Sequence, residues 1–130
     1  MTGRFLSFEG PDKAGKSTQI QLFAQHLQAK GIPFLLTREP GGCPVSEKLR
    51  DLILAPENEM GDLCEALLYA ASRSELVRTV IRPALARGTW VICDRYVDSS
   101  IAYQGYGRGL GEETIRRIND LATGCLRPDL

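Results

Sequence analysis

Gly10-Pro11-Asp12-Lys13-Ala14-Gly15-Lys16-Ser17, with Thr18 behind it, carries the spacing G-x-x-x-x-G-K-[ST]. Between a strand and a helix, such a loop turns successive backbone N–H groups inward. Together with the positive end of the helix they cradle phosphate oxygens. Gly10 and Gly15 allow a backbone path and a close approach that a side chain would obstruct. In this pattern Lys16 reaches the β- and γ-phosphates of a nucleoside triphosphate and the Ser17 hydroxyl ligates Mg²⁺. A chance match in a glycine-containing turn is the competing reading, and only a flanking strand and helix separate the two.

Three further groups can act on a second ligand. Asp94 and Arg95 follow the apolar run TWVIC. An Asp at such a strand end can hold Mg²⁺ or its waters, and a planar guanidinium beside it binds phosphate oxygens in pairs. A surface ion pair is the plainer alternative. Arg38-Glu39-Pro40-Gly41-Gly42 closes another predicted strand, and a tight turn alone would account for it. Tyr69 and Arg73 lie one helical turn apart, a spacing that suits a ring stacked on a base and a cation at its edge. Ordinary helix packing produces the same spacing.

The elements that must position these residues alternate between strand and helix. Strands are predicted over Arg4–Glu9, Pro33–Thr37 and Thr89–Cys93. Helices are predicted over Lys16–Lys30 (Ile20, Phe23, Ala24 and Leu27 inward), Val45–Ala55 (Val45, Leu49, Leu52 and Ile53 on one side) and Asp62–Arg87. Pro83 should kink or interrupt the last of these. A helix over Tyr96–Tyr103, a glycine-rich segment from Gly105 to Gly111, and a helix over Glu112–Thr123 with Ile115, Ile118 and Leu121 inward complete the pattern. Such alternation implies an α/β fold, with a parallel sheet covered on both faces in three layers and ligands at the carboxyl ends of its strands. With the phosphate loop, that is the P-loop nucleotide-binding fold. The chain reads as one domain over residues 1–130, C-terminally incomplete, because another strand is expected after Leu130.

Sixteen basic residues balance sixteen acidic ones, which argues against a nucleic-acid or membrane partner, since both call for surplus positive charge. No apolar run is long enough to span a bilayer and no signal-peptide pattern is seen, so a cytoplasmic location is expected. Cys43, Cys64, Cys93 and Cys125 are too scattered for a zinc or redox motif and are expected to be reduced. His26 reads as a solvated helix residue.

FEGPDKAGKSTQ, TREPGG, LLYAASR, DRYVDSSIAYQG and RRINDLATGCLRPDL occur in an order and spacing that resemble the thymidylate kinases over nearly the whole chain. The resemblance implies phosphoryl transfer from ATP, with Mg²⁺, to thymidine monophosphate (dTMP), in a protein that forms a homodimer. Carried over residue by residue, it places Asp12 near the acceptor's sugar and phosphate, Glu39 and Pro40 in the acceptor-side turn, and Leu49 against the pyrimidine. It also stacks Tyr69 on the base, sets Arg73 at the base's carbonyl edge, and gives Arg95 the alignment of phosphates. Ser100 and Gln104 read the base, and Tyr103 crowds a ribose 2′-hydroxyl. Lys13 departs from the family pattern, in which this position is glycine or arginine, and is expected to supply transition-state charge from within the loop. The lid and adenine-binding segments of the family have no counterpart in these residues. A kinase for another small acceptor and a GTPase-like module without transfer activity are the rival readings. Against the latter, the sequence holds no N-K-x-D guanine-recognition segment.

Overall fold

The structure, a computed structural model, describes residues 3–10 and 15–130 and leaves out the side chains of Asp98, Ser99, Tyr103 and Tyr106. Three parallel strands, β1 (Phe5–Phe8), β2 (Phe34–Arg38) and β3 (Trp90–Asp94), form a sheet in the order β1-β3-β2. Phe5 pairs with Val91 on one side of β3, and Phe34 pairs with Trp90 on the other. The central strand is therefore closed in by backbone partners and must be apolar on both faces. Val91, Ile92 and Cys93 are fully buried.

Strand alternation sends these side chains to opposite layers. Val91 and Cys93 join Phe5, Leu76, Val77, Ile81 and Ala84 on one face. Ile92 joins Ile20 and Leu27 of α1 (Lys16–Ala29) on the other, with Phe8, Phe23 and Trp90 packed against them. Helices thus cover both faces, as the alternation of elements predicted. Each fully buried aliphatic side chain contributes about 1.5–3 kcal/mol to holding these layers together.

The remaining helices are α2 (Pro44–Leu54), α3 (Asp62–Leu76), α4 (Arg82–Ala86), α5 (Val97–Ser100) and α6 (Glu112–Thr123). Ahead of Pro83 the α-helical bonding of the long region is interrupted, as the proline predicts. A π-helical turn over Val77–Ile81 links α3 to α4, and the Arg82 N–H reaches back five residues to the Val77 carbonyl. Widening the helix here accommodates a ring that offers no N–H and crowds the preceding turn. A second π-helical stretch, Ile101–Gly107, extends α5 beyond its predicted end. Gly105 is buried in it, and its carbonyl accepts the Gly111 N–H at 2.9 Å.

Two predicted helix faces are corrected. Val45 and Leu52 of α2 are exposed, and Ser46 and Ile53 are buried. Leu121 of α6 is 87% exposed, whereas Asn119 and Thr123 continue the inward line from Ile115. In both cases a hydrogen bond outweighs apolarity: Ser46 Oγ donates to the Ser72 carbonyl at 2.6 Å, and Asn119 accepts from a buried arginine of α3. Beyond α6, Asp129 and Leu130 bond to the outer edge of β1: the Asp129 N–H donates to the Phe5 carbonyl and the Ser7 N–H to that of Leu130.

The turn after β2 is held by its glycines. The Glu39–Pro40 bond is cis, and Gly41 and Gly42 have φ of 122° and 96°. The Gly41 N–H donates to Ser72 Oγ and the Gly42 N–H to Glu47 Oε1. That backbone bond holds the Glu47 carboxyl below its ordinary value. A Cβ on Gly42 would sit 2.4 Å from Thr37 Oγ1 and 2.7 Å from Leu76 Cδ1. Gly42→Ala is therefore expected to lower stability by about 1–3 kcal/mol, from overpacking added to left-handed strain. An unchanged urea midpoint would show that the turn does not need this glycine.

Candidate active site

β1 ends at Phe8 and α1 begins at Lys16, so the phosphate-loop motif has the strand–loop–helix setting its chemistry needs. Pro11, Asp12, Lys13 and Ala14 lie outside the described residues. The flanking glycines are described: Gly10 has φ 144° and Gly15, at the start of α1, has φ 81°. Thr18 is exposed on the first turn of the helix. Lys16 Nζ donates to the Gly10 carbonyl at 3.4 Å and lies 2.6 Å from Asp94 Oδ1. Among the described residues that oxygen accepts no hydrogen bond of ordinary geometry, so the contact is an ion pair. Ser17 and Asp94 line one groove, beside Thr37 and Gly42. The Ser17 hydroxyl and the Asp94 carboxylate are hard oxygens of the kind Mg²⁺ takes, so the residues fit that ion.

Arg95 stands directly after β3 with φ 74°, an unfavourable backbone for a side chain that is not glycine and one that costs about 1–3 kcal/mol. Three bonds impose it. The Arg95 N–H donates to the Phe8 carbonyl at 3.0 Å. The Arg95 carbonyl accepts from Cys93 Sγ at 2.9 Å. The next N–H, of Tyr96, donates to Glu9 Oε1 at 2.8 Å. Burial pushes the Cys93 thiol well up, which keeps it protonated and able to donate.

Glu39, Pro40, Tyr69, Arg73, Arg95, Ser100 and Gln104 line one small pocket. All seven were singled out from sequence, and they come from the turn after β2, α3, the end of β3, α5 and the π-helical stretch. Arg73 organises it. Its Nε donates to Glu39 Oε1 at 2.5 Å, Nη1 to Ser100 Oγ at 2.9 Å and to Asn119 Oδ1, and Nη2 to the Tyr96 carbonyl at 3.3 Å. Its cationic carbon lies 5.4 Å from the centre of the Tyr96 ring. Of its five N–H donors, one on Nη2 has no protein partner among the described residues. Burial pushes the Glu39 carboxyl up to about 7, although Arg73 pulls the other way. Glu39 Oε2 is buried without a hydrogen-bond partner among the described residues, which leaves its charge only half supported. Burial likewise raises the Tyr69 phenol.

A wider cleft of about 290 Å³ opens from this pocket and shares Glu39, Pro40, Tyr69 and Arg95 with it. Among the described residues, Lys16, Arg38, Arg50 and Arg95 line it together with Glu39 and Asp94, four cations to two carboxylates. Such an excess suits anionic phosphate chains. Leu49 lines neither the pocket nor the cleft; its helix contributes Arg50 and Leu54 instead. The Tyr103 side chain lies outside the described residues.

Arg50 and Asn119 were not singled out from sequence. Arg50 Nη1 donates to the Pro40 carbonyl at 2.7 Å, bracing the turn while lining the cleft. Its position one turn beyond Ser46 was the available signal, but α2 reads as an apolar-faced helix until its true buried side is known. Asn119 sits one turn beyond Ile115, a polar residue within an inward stripe.

Comparison with known proteins gives one result by three routes. A family model described as thymidylate kinase matches residues 8–130. The thymidylate kinase of Exiguobacterium sibiricum is 55% identical over 130 residues, which covers 99% of this chain and 61% of that one. That of Lactobacillus helveticus is 56% identical, over 100% and 62%. A crystal structure of thymidylate kinase from Ehrlichia chaffeensis superposes with a TM-score of 0.90 at 39% identity, covering 100% of this chain and 73% of that chain. The chain spans about three fifths of the length of the curated relatives it matches.

Arg73→Leu is expected to destabilise the protein by about 3–5 kcal/mol, because it strands a buried carboxyl without its counter-charge. Replacing Glu39 with Leu as well should recover most of that loss. Equal urea midpoints for the single and double variants would show that the pair does not bear on stability.

Proposed function

This chain belongs to the thymidylate kinase family, and we propose that the protein transfers the γ-phosphate of ATP to the 5′-phosphate of dTMP. The observation that carries this reading is the convergence of Lys16, Asp94 and Arg95 on one cationic cleft that runs into the pocket of Tyr69 and Arg73. A phosphate donor at the first and a nucleoside monophosphate at the second would meet end to end beside Arg95.

In-line transfer of this kind needs positioning and charge neutralisation rather than a nucleophilic side chain. The phosphate loop and Lys16 hold the donor's terminal phosphates. Arg95 stands where the two phosphate chains meet and offsets their repulsion, its direction set by the constrained backbone at φ 74°. Tyr69 offers a face for the pyrimidine, and the remaining N–H of Arg73 offers a donor to a base carbonyl. Ser17 and Asp94 would hold Mg²⁺, which when bound neutralises charge on the β- and γ-phosphate oxygens.

No helix among the described residues is long and apolar enough to cross a membrane. The four cysteines are free, which fits a reducing cytoplasm. We also assign a homodimer. Leu52 of α2 and Leu63 and Leu67 of α3 are exposed on two helices packed against each other, and a second copy would cover them.

ADP release by the full-length protein is expected to depend on dTMP and to be slower with other monophosphates. Release at the same rate with no acceptor would overturn the kinase reading. Arg95→Ala should lower kcat about 10²- to 10³-fold, by analogy with the loss of one preorganised donor, and leave the KM for ATP nearly unchanged. Unchanged turnover would remove Arg95 from the mechanism. Light scattering is expected to give twice the chain mass, and Leu63→Asp with Leu67→Asp to reduce it to a monomer; a wild-type monomer would refute the dimer.

A further inference from the structure

We propose that Asn119 is a positioning residue for Arg73, setting the direction in which that arginine presents its last donor to the acceptor's base; the proposal rests on the kinase reading above. Asn119 lies on α6, is 2% exposed, and lines neither the pocket nor the cleft. Any effect it has on a ligand therefore passes through the side chain it touches.

Its amide is gripped from two sides. Nδ2 donates to the Ile115 carbonyl at 2.9 Å, and Oδ1 accepts from Arg73 Nη1. The first bond requires a donor and the second an acceptor, so one orientation of the amide satisfies both. One turn further on, Thr123 Oγ1 donates to the Asn119 main-chain carbonyl at 2.7 Å, which steadies the helix at this point. Each grip acts on a rigid body. A guanidinium is planar with its donors in a fixed fork, so holding Nη1 fixes Nη2 as well. Ser100 takes one N–H of Nη1 and Asn119 the other. An apolar residue at 119 would strand a buried N–H on Nη1 and leave that end of the fork to Ser100 and the Tyr96 carbonyl alone.

Packing alone does not explain an asparagine here. Ile115 on the same stripe packs with Ala66 and Ile101, and an aliphatic side chain at 119 would extend that cluster. A fully buried amide in this line is accounted for by what it holds.

The test uses the full-length protein, with ATP and dTMP varied separately. Asn119→Leu, similar in volume, is expected to raise the KM for dTMP about 10- to 100-fold, the range for a hydrogen bond to a charged group. The KM for ATP should stay nearly unchanged. Asn119→Asp keeps the acceptor toward Arg73 but loses the donor toward Ile115, and should recover part of the loss. The proposal is overturned if Asn119→Leu leaves the KM for dTMP unchanged, if both KM values rise together, or if Asn119→Asp is as impaired as Asn119→Leu. Should Asn119→Leu not fold, Asn119→Ala against Asn119→Asp makes the same comparison, and equal KM values for dTMP overturn it. Wild-type protein without acceptor-dependent turnover defeats the kinase reading itself, a result distinct from active wild type with an unaffected Asn119→Leu.

Discussion

A guanidinium taken out of water brings five N–H donors and a charge with it, and it can stay buried only where oxygens surround it. Arg73 meets that demand from four parts of the chain: the turn after β2, the residues following β3, the end of α5, and α6. None of these segments is a neighbour of α3 in sequence. The need to satisfy one side chain therefore draws the walls of the acceptor pocket together. Any account of that pocket begins with this cation.

The phosphate side follows a different rule. Parallel strands end together, so residues just past β1, β2 and β3 must share a rim whatever their identity. Pairing of Phe8 and of Arg38 with Asp94 on either side of β3 sets the level of that rim. Lys16 and Asp94 then meet across it, and Arg95 is turned by a backbone that three separate bonds hold in a left-handed conformation. Strain of this kind persists only where its surroundings over-determine it. The cleft of Lys16 and Arg95 and the pocket of Arg73 thus rest on two kinds of constraint, sheet geometry for the first and side-chain satisfaction for the second.

Much of this was legible in the residues. The alternation of strand and helix, the phosphate loop with its flanking elements, and seven residues of the pocket are all readable from the sequence. Their signals are local: hydrophobic period, glycine spacing, and charge beside a strand end. The errors also share a cause. Val45, Leu52 and Leu121 were placed inside because they are apolar, while Ser46, Asn119 and Arg50 were overlooked because they are polar. Periodicity measures the apolarity of a face and says nothing of a hydrogen bond waiting on the other side of an interface.

The sequence by itself determined the layered fold, the place of the phosphate loop and the family to which the chain belongs, because each follows from the order and spacing of neighbouring residues. Only the tertiary structure decided which N–H of Arg73 is left over, that Arg50 joins the cleft, and that Asn119 grips the guanidinium. These depend on distances between residues tens of positions apart, and in a packed interior such distances are set by everything around them at once.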